Sequence, residues 1–136
     1  MFGAAGGTMP PTKLRILNVD LKEALLKPRS AILEGAGYEV VTALSHIDVQ
    51  TACDKHKDFD LVVVGQGIPK QEKRRVMQTV REYCGHVPLL ELYPHGTIPM
   101  DEEADDQLPS ADEADALLRK VADLLSKPRK RRRGAS

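Results

Sequence analysis

No apolar run in this chain approaches the ~20 residues that a bilayer-spanning helix requires, so the sequence predicts no transmembrane segment. The first residues are rich in Gly and Ala but lack a basic stretch and an apolar core, so no secretory signal is expected there. A disordered leader over 1–12 is expected instead. Cysteine is scarce: Cys53 and Cys84 are the only two in 136 residues. Without an export signal, both are expected as reduced, inert thiols of a cytoplasmic protein. Cys53 with His56, and Cys84 with His86, match no zinc-finger spacing, so ordinary thiols and surface histidines are expected rather than a metal site. No Ser/His/Asp or Cys/His/Asn set suggests nucleophilic catalysis.

Net charge is also lacking, but the zero hides an asymmetry. Lys127, Arg129, Lys130, Arg131, Arg132 and Arg133 place six positive charges in seven positions, leaving an equal negative excess on the rest of the chain. Part of that excess is the acidic run over 101–106. A basic tail of this kind attracts nucleic acid by counterion release and anionic membranes by the same Coulomb attraction. No aromatics interleave it, which weakens a single-strand nucleic-acid reading. A solvated tail over 127–136 is the simpler expectation.

What is present is the composition of one soluble domain, 41% hydrophobic and 29% charged. Short β-like runs alternate with helical spacings. Strands are predicted at 14–19, 38–43, 61–64, 88–92 and, weakly, 106–108. A helix over 22–36 carries Leu25, Leu26, Ile32 and Leu33, with Pro28 predicting a kink or a delayed start. Gly35 to Gly37 supplies its stop. Ser45 caps a second helix to about 56, with Ile47, Ala52 and Cys53 turned inward. A third, over 70–83, is read with Val76, Val80 and Tyr83 inward and Lys70, Lys73, Arg74 and Arg75 toward solvent. Ser110 and Glu113 form a capping box for a last helix bearing Leu117, Leu118, Val121, Leu124 and Leu125. The strand run 61–64 is wholly apolar, as suits the centre of a parallel sheet.

Alternating strands and helices predict a doubly wound α/β fold, in which ligands and reactive groups gather at the carboxyl ends of the strands. Those positions are Asp20, Gly65, Tyr93 and the 108–110 corner. Gly65-Gln66-Gly67 would let a ligand approach the backbone closely, but a bare Gly-x-Gly is no nucleotide fingerprint.

The runs Ile16-Leu17-Asn18-Val19-Asp20, Ile32 to Val40 and Asp60-Leu61-Val62-Val63-Val64, with Pro69, resemble the receiver domain of bacterial two-component response regulators. The resemblance spans about 13–125. It implies a flavodoxin-like, five-stranded parallel sheet over 13–126. The segment where the family has its fourth helix holds two prolines and a glycine in 93–99, so that helix is expected to be short or missing. The family binds Mg²⁺ with an acidic cluster after the first strand and phosphorylates an aspartate after the third. It also uses a Ser/Thr after the fourth strand and a Lys after the fifth. Here Asp20 is the one acid left: Leu21 replaces the second, Gly65 the phosphoacceptor, Tyr93 the Ser/Thr and Ser110 the Lys.

The resemblance therefore implies a degenerate receiver with no cofactor, no metal and no enzymatic activity, acting on a protein partner in phosphorelay signalling. Contact surfaces are expected at 65–69, at 93–99 and on the last helix, with the oligomeric state left open. The alternative makes the domain a polyanion-binding module through its tail.

Overall fold

The computed structural model describes residues 13–56, 58–94, 104–109 and 114–127. In chain order the elements are β1 (Arg15–Val19), α1 (Glu23–Gly35), β2 (Glu39–Ala43), α2 (His46–Lys55) and β3 (Leu61–Val64). There follow α3 (Lys70–Thr79) with a π-helical turn (Val80–Cys84), β4 (Leu89–Tyr93), β5 (Asp106–Pro109) and α4 (Ala114–Ser126). All pairings are parallel and the strand order is β2-β1-β3-β4-β5. That is the order of flavodoxin-like sheets, with a switch point between β1 and β3. The five expected strands are all present, each within a residue or two of its predicted bounds. Among the described residues no helix lies between β4 and β5; residues 95–103 lie outside them, as do the leader, the capping box with Ser110, and the tail beyond Lys127.

The period-2 alternation of the strands splits the interior into two layers. Leu17, Val19, Val62, Val64 and Leu89 face α2 and α3, meeting Val49, Ala52, Val76, Met77 and Val80. Ile16, Leu61, Val63, Leu90 and Leu92 face α1 and α4, meeting Leu33, Leu117, Val121 and Leu124. Every residue of β3 is buried, as a central parallel strand covered on both faces requires.

Several expectations need correction. α1 starts at Glu23 rather than after Pro28, which lies in its second turn on the exposed side. There the proline lacks the N–H that would meet the Ala24 carbonyl and its ring crowds that carbonyl, so of the two expectations the delayed start is the one corrected. In α2, Ser45 does cap, accepting from the Asp48 N–H at 3.2 Å. Ile47, however, is 62% exposed, and Val49 takes the inward place.

Lys73 is buried on the inner stripe of α3 with Val76, Met77 and Val80, while Tyr83 is exposed. The π-helical turn explains the tyrosine: its i→i+5 bonding adds a residue to the turn, so the inward position passes from 83 to Cys84. Gly85, at φ 73°, then ends the helix in a conformation that glycine adopts without strain.

Cys84 is joined to Cys53 in a disulfide that staples the end of α3 to α2, with the Cα atoms 5.3 Å apart. The expectation of two reduced thiols is overturned, and with it the compartment argument built on them. A bridge closing 31 residues contributes about 2–4 kcal/mol by restricting the unfolded chain. Its sulfurs are not available to a zinc ion. No described helix is long and apolar enough to cross a membrane.

Candidate functional site

Asp20 follows the last residue of β1 and is wholly buried. Its backbone N–H bonds the Ala43 carbonyl at 3.1 Å and the Gly65 N–H bonds the Val19 carbonyl at 2.8 Å, so three strand ends meet around its side chain. The carboxylate accepts the Lys22 N–H at 3.1 Å and the Gly67 N–H at 3.4 Å. Its main partner comes from α1. Arg29 lies on the buried stripe with Leu26 and Leu33, at the i, i+3, i+7 spacing of one helix face. Its Nη2 reaches Asp20 Oδ2 at 3.0 Å and Gln66 Oε1 at 2.8 Å, and its Nη1 reaches Asn18 Oδ1 at 3.1 Å.

Asn18 is itself fully buried. It donates to the Leu26 carbonyl at 3.3 Å and to Ser30 Oγ at 3.0 Å, tying β1 to α1 beneath the guanidinium. Burial lowers the Arg29 pKa from its ordinary value, with the Asp20 charge and hydrogen bond opposing that shift. An arginine nevertheless stays protonated in proteins. The crevice thus carries its own cation.

The two glycines of the loop after β3 are required by this arrangement. A Cβ at Gly65 would sit inside the Asp20 carboxylate, 2.8 Å from its Cγ and 2.6 Å from Arg29 Nη1. A Cβ at Gly67 would meet the same carboxylate from the other side and lie 2.9 Å from Leu25 Cδ1. The space that Gly-x-Gly seemed to hold open for a ligand is filled by the protein's own ion pair.

The receiver family's Mg²⁺ does not fit these residues. The Asp20 oxygens already accept from Arg29, Lys22 and Gly67, and a guanidinium stands against them. Leu21 turns to solvent at 37% exposure, and Gly65 has no side chain to contribute. Among the described residues no group of His, Cys, Asp or Glu is placed to hold a metal.

A second buried ion pair lies under β4. Glu91 alternates onto the α3 side of the sheet and is fully buried. Lys73 Nζ meets its Oε2 at 3.2 Å and the Leu92 carbonyl at 2.9 Å, while Gln107 Nε2 approaches its Oε1 at 3.5 Å. At the mouth, between α2 and α3, His46 holds Glu72 through its backbone N–H at 3.0 Å and its ring Nδ1 at 2.7 Å. Burial would raise the Glu72 carboxyl; the bonds to His46 outweigh it and hold the pKa below its ordinary value.

Of the residues singled out in the sequence, Asp20 and Gly65 meet in the crevice and Tyr93 ends β4, half-buried. Ser110 lies outside the described residues, as does the basic tail apart from Lys127, whose Nζ is 3.4 Å from Asp123 Oδ2. Sequence reasoning did not single out Arg29 or Glu91, and it placed Lys73 toward solvent. The signal for Arg29 and Glu91 is a charge in register with an apolar stripe or strand.

No protein-family model matches the chain, and no curated protein matches it in sequence. Solved structures do. The chain superposes on the chemotaxis protein CheY4 of Vibrio cholerae with a TM-score of 0.72 at 22% identity, over 83% of this chain and 99% of that one. A CheY-like response regulator receiver domain protein from Methanospirillum hungatei gives 0.71 at 21% identity, covering 84% and 94%. The receiver domain of the hybrid histidine kinase CckA gives 0.68 at 20% identity, covering 82% and 99%. The chain has the fold of a response-regulator receiver domain, with an arginine–aspartate pair where that fold has its strand-end crevice.

Proposed function

We propose that this protein is a receiver-like signalling module that takes no part in phosphoryl transfer and acts by contact with a protein partner, with no enzymatic activity of its own. One observation carries the reading: the Asp20–Arg29 pair fills the space around Gly65 where a carboxylate nucleophile and a metal would have to stand. Acyl-phosphate formation needs a carboxylate nucleophile, and neither Gly65 nor Gln66 supplies one. The apolar side chains of Leu21, Leu44 and Ile47 are exposed at the carboxyl ends of β1 and β2 and the start of α2. They support protein contact at this end of the sheet, beside the 65–69 loop.

Incubating the full chain with acetyl phosphate and Mg²⁺, then measuring intact mass at neutral pH and after acid treatment, tests the loss of chemistry. The expected result is an unchanged mass. A stoichiometric, labile phosphate adduct would overturn the reading.

A further inference from the structure

Between α1, α4 and the ends of β4 and β5 lies a cavity of about 240 Å³. Its apolar wall comes from Leu25 and Ile32 of α1, Leu92 at the end of β4, Leu108 of β5 and Leu117 of α4. Its two polar lining residues are Arg29 and Gln66. An apolar cavity of about 150 Å³ already accepts benzene, so this one has room for a substituted ring or a short branched chain.

The polar chemistry of the cavity is one-sided. A guanidinium has five N–H donors and no acceptor, and Arg29 spends three, on Asn18, Asp20 and Gln66. Because Arg29 can only donate, the Gln66 oxygen must face it, which leaves the Gln66 amide group as a donor too. Its two N–H groups and the two unspent on Arg29 have no partner among the described residues. The two polar side chains of the lining can therefore offer only donors, yet they are electrically balanced, since Asp20 neutralises Arg29 at 3.0 Å. Such a pair selects an acceptor oxygen without a full negative charge.

We infer that this cavity is a binding site for a small neutral carbonyl compound with an apolar body, its oxygen held by Arg29 and Gln66. The ligand bonds the same guanidinium that closes the crevice, so occupancy reinforces the contacts among α1, β1 and the 65–69 loop. The site rests on the cavity and its donors, and stands whether or not the protein takes part in signalling.

The probes are acetophenone, its hydrocarbon isostere α-methylstyrene, and benzoate, titrated into the full chain. The readouts are the methyl resonances of Leu92, Leu108 and Leu117 and the Arg29 Nε–H resonance. Acetophenone is expected to give saturable shifts at these positions. α-Methylstyrene, which offers no acceptor, is expected to bind about tenfold more weakly, and benzoate more weakly than acetophenone. Ala24→Phe, at an exposed position on the cavity rim, is expected to abolish the shifts while leaving the melting temperature unchanged. The proposal fails if acetophenone gives no saturable shift up to its solubility limit, or if either other probe binds as tightly. It fails equally if Ala24→Phe folds and binds as the parent does.

Discussion

Replacing Gly65 with aspartate, which returns a nucleophile to its receiver position, is expected to cost about 4 kcal/mol of stability and to restore no phosphorylation. The added Cβ enters space held by the Asp20 carboxylate and lies 2.6 Å from Arg29 Nη1. Those atoms are side-chain ends, so the backbone need not move; the loss is the ion pair. Arg29 is only 6% exposed, so displacing its guanidinium breaks buried hydrogen bonds to Asn18, Asp20 and Gln66. A second carboxylate would compete with Asp20 for one cation in a dry site, leaving one negative charge unpaired. Gly65→Ala, with the steric insult but no charge, is expected to cost about half as much. Urea denaturation of the two variants measures both losses. Parental stability in Gly65→Asp would show that the crevice has room the geometry denies it.

The second large effect is expected from Arg29→Met. Methionine keeps the unbranched stem and removes the charge. Asp20, fully buried, would then retain only backbone N–H partners, and the oxygens of Asn18 and Gln66 would lose theirs. Breaking a buried pair from one side costs about 3–5 kcal/mol, because the partner's charge stays behind. Neutralising both sides is much cheaper. Arg29→Met combined with Asp20→Asn is therefore expected to recover about half or more of the loss, as read from a double-mutant cycle in urea. Strict additivity would contradict a direct pair. A loss of that size would keep the crevice closed, because opening it toward a metal or a phosphoryl group means separating these same charges.

The architecture was legible because it rests on hydrophobic period. The apolar run of β3, the mixed runs flanking it and the helical stripes between them place each strand within a residue or two, and parallel order follows from their alternation. Gly65 and Leu21 were visible as departures from a family pattern. What filled the resulting space was not, because Arg29 comes from a helix nine residues beyond Asp20 and reads locally as a solvent-facing base. Only its register with Leu26 and Leu33 gives it away. Lys73 was misplaced for the same reason: four of the seven residues from Lys70 to Val76 are basic, which hides the one that turns in. The Cys53–Cys84 bridge depends on α2 packing against the π-helical turn of α3, and no spacing along the chain encodes that. Tyr83 failed through the same turn, since an added residue cannot be read from a 3.6-residue period.

The account's central claim is that an internal arginine–aspartate pair stands where receiver chemistry would need a metal and an acyl phosphate. Beryllofluoride with Mg²⁺ mimics that acyl phosphate, and adding both to the isotopically labelled full chain tests the claim most directly. The amide resonances of Gly65, Gln66 and Gly67 and the Arg29 Nε–H resonance are predicted to stay unchanged at millimolar concentrations. A saturable, stoichiometric shift at these four positions would contradict it.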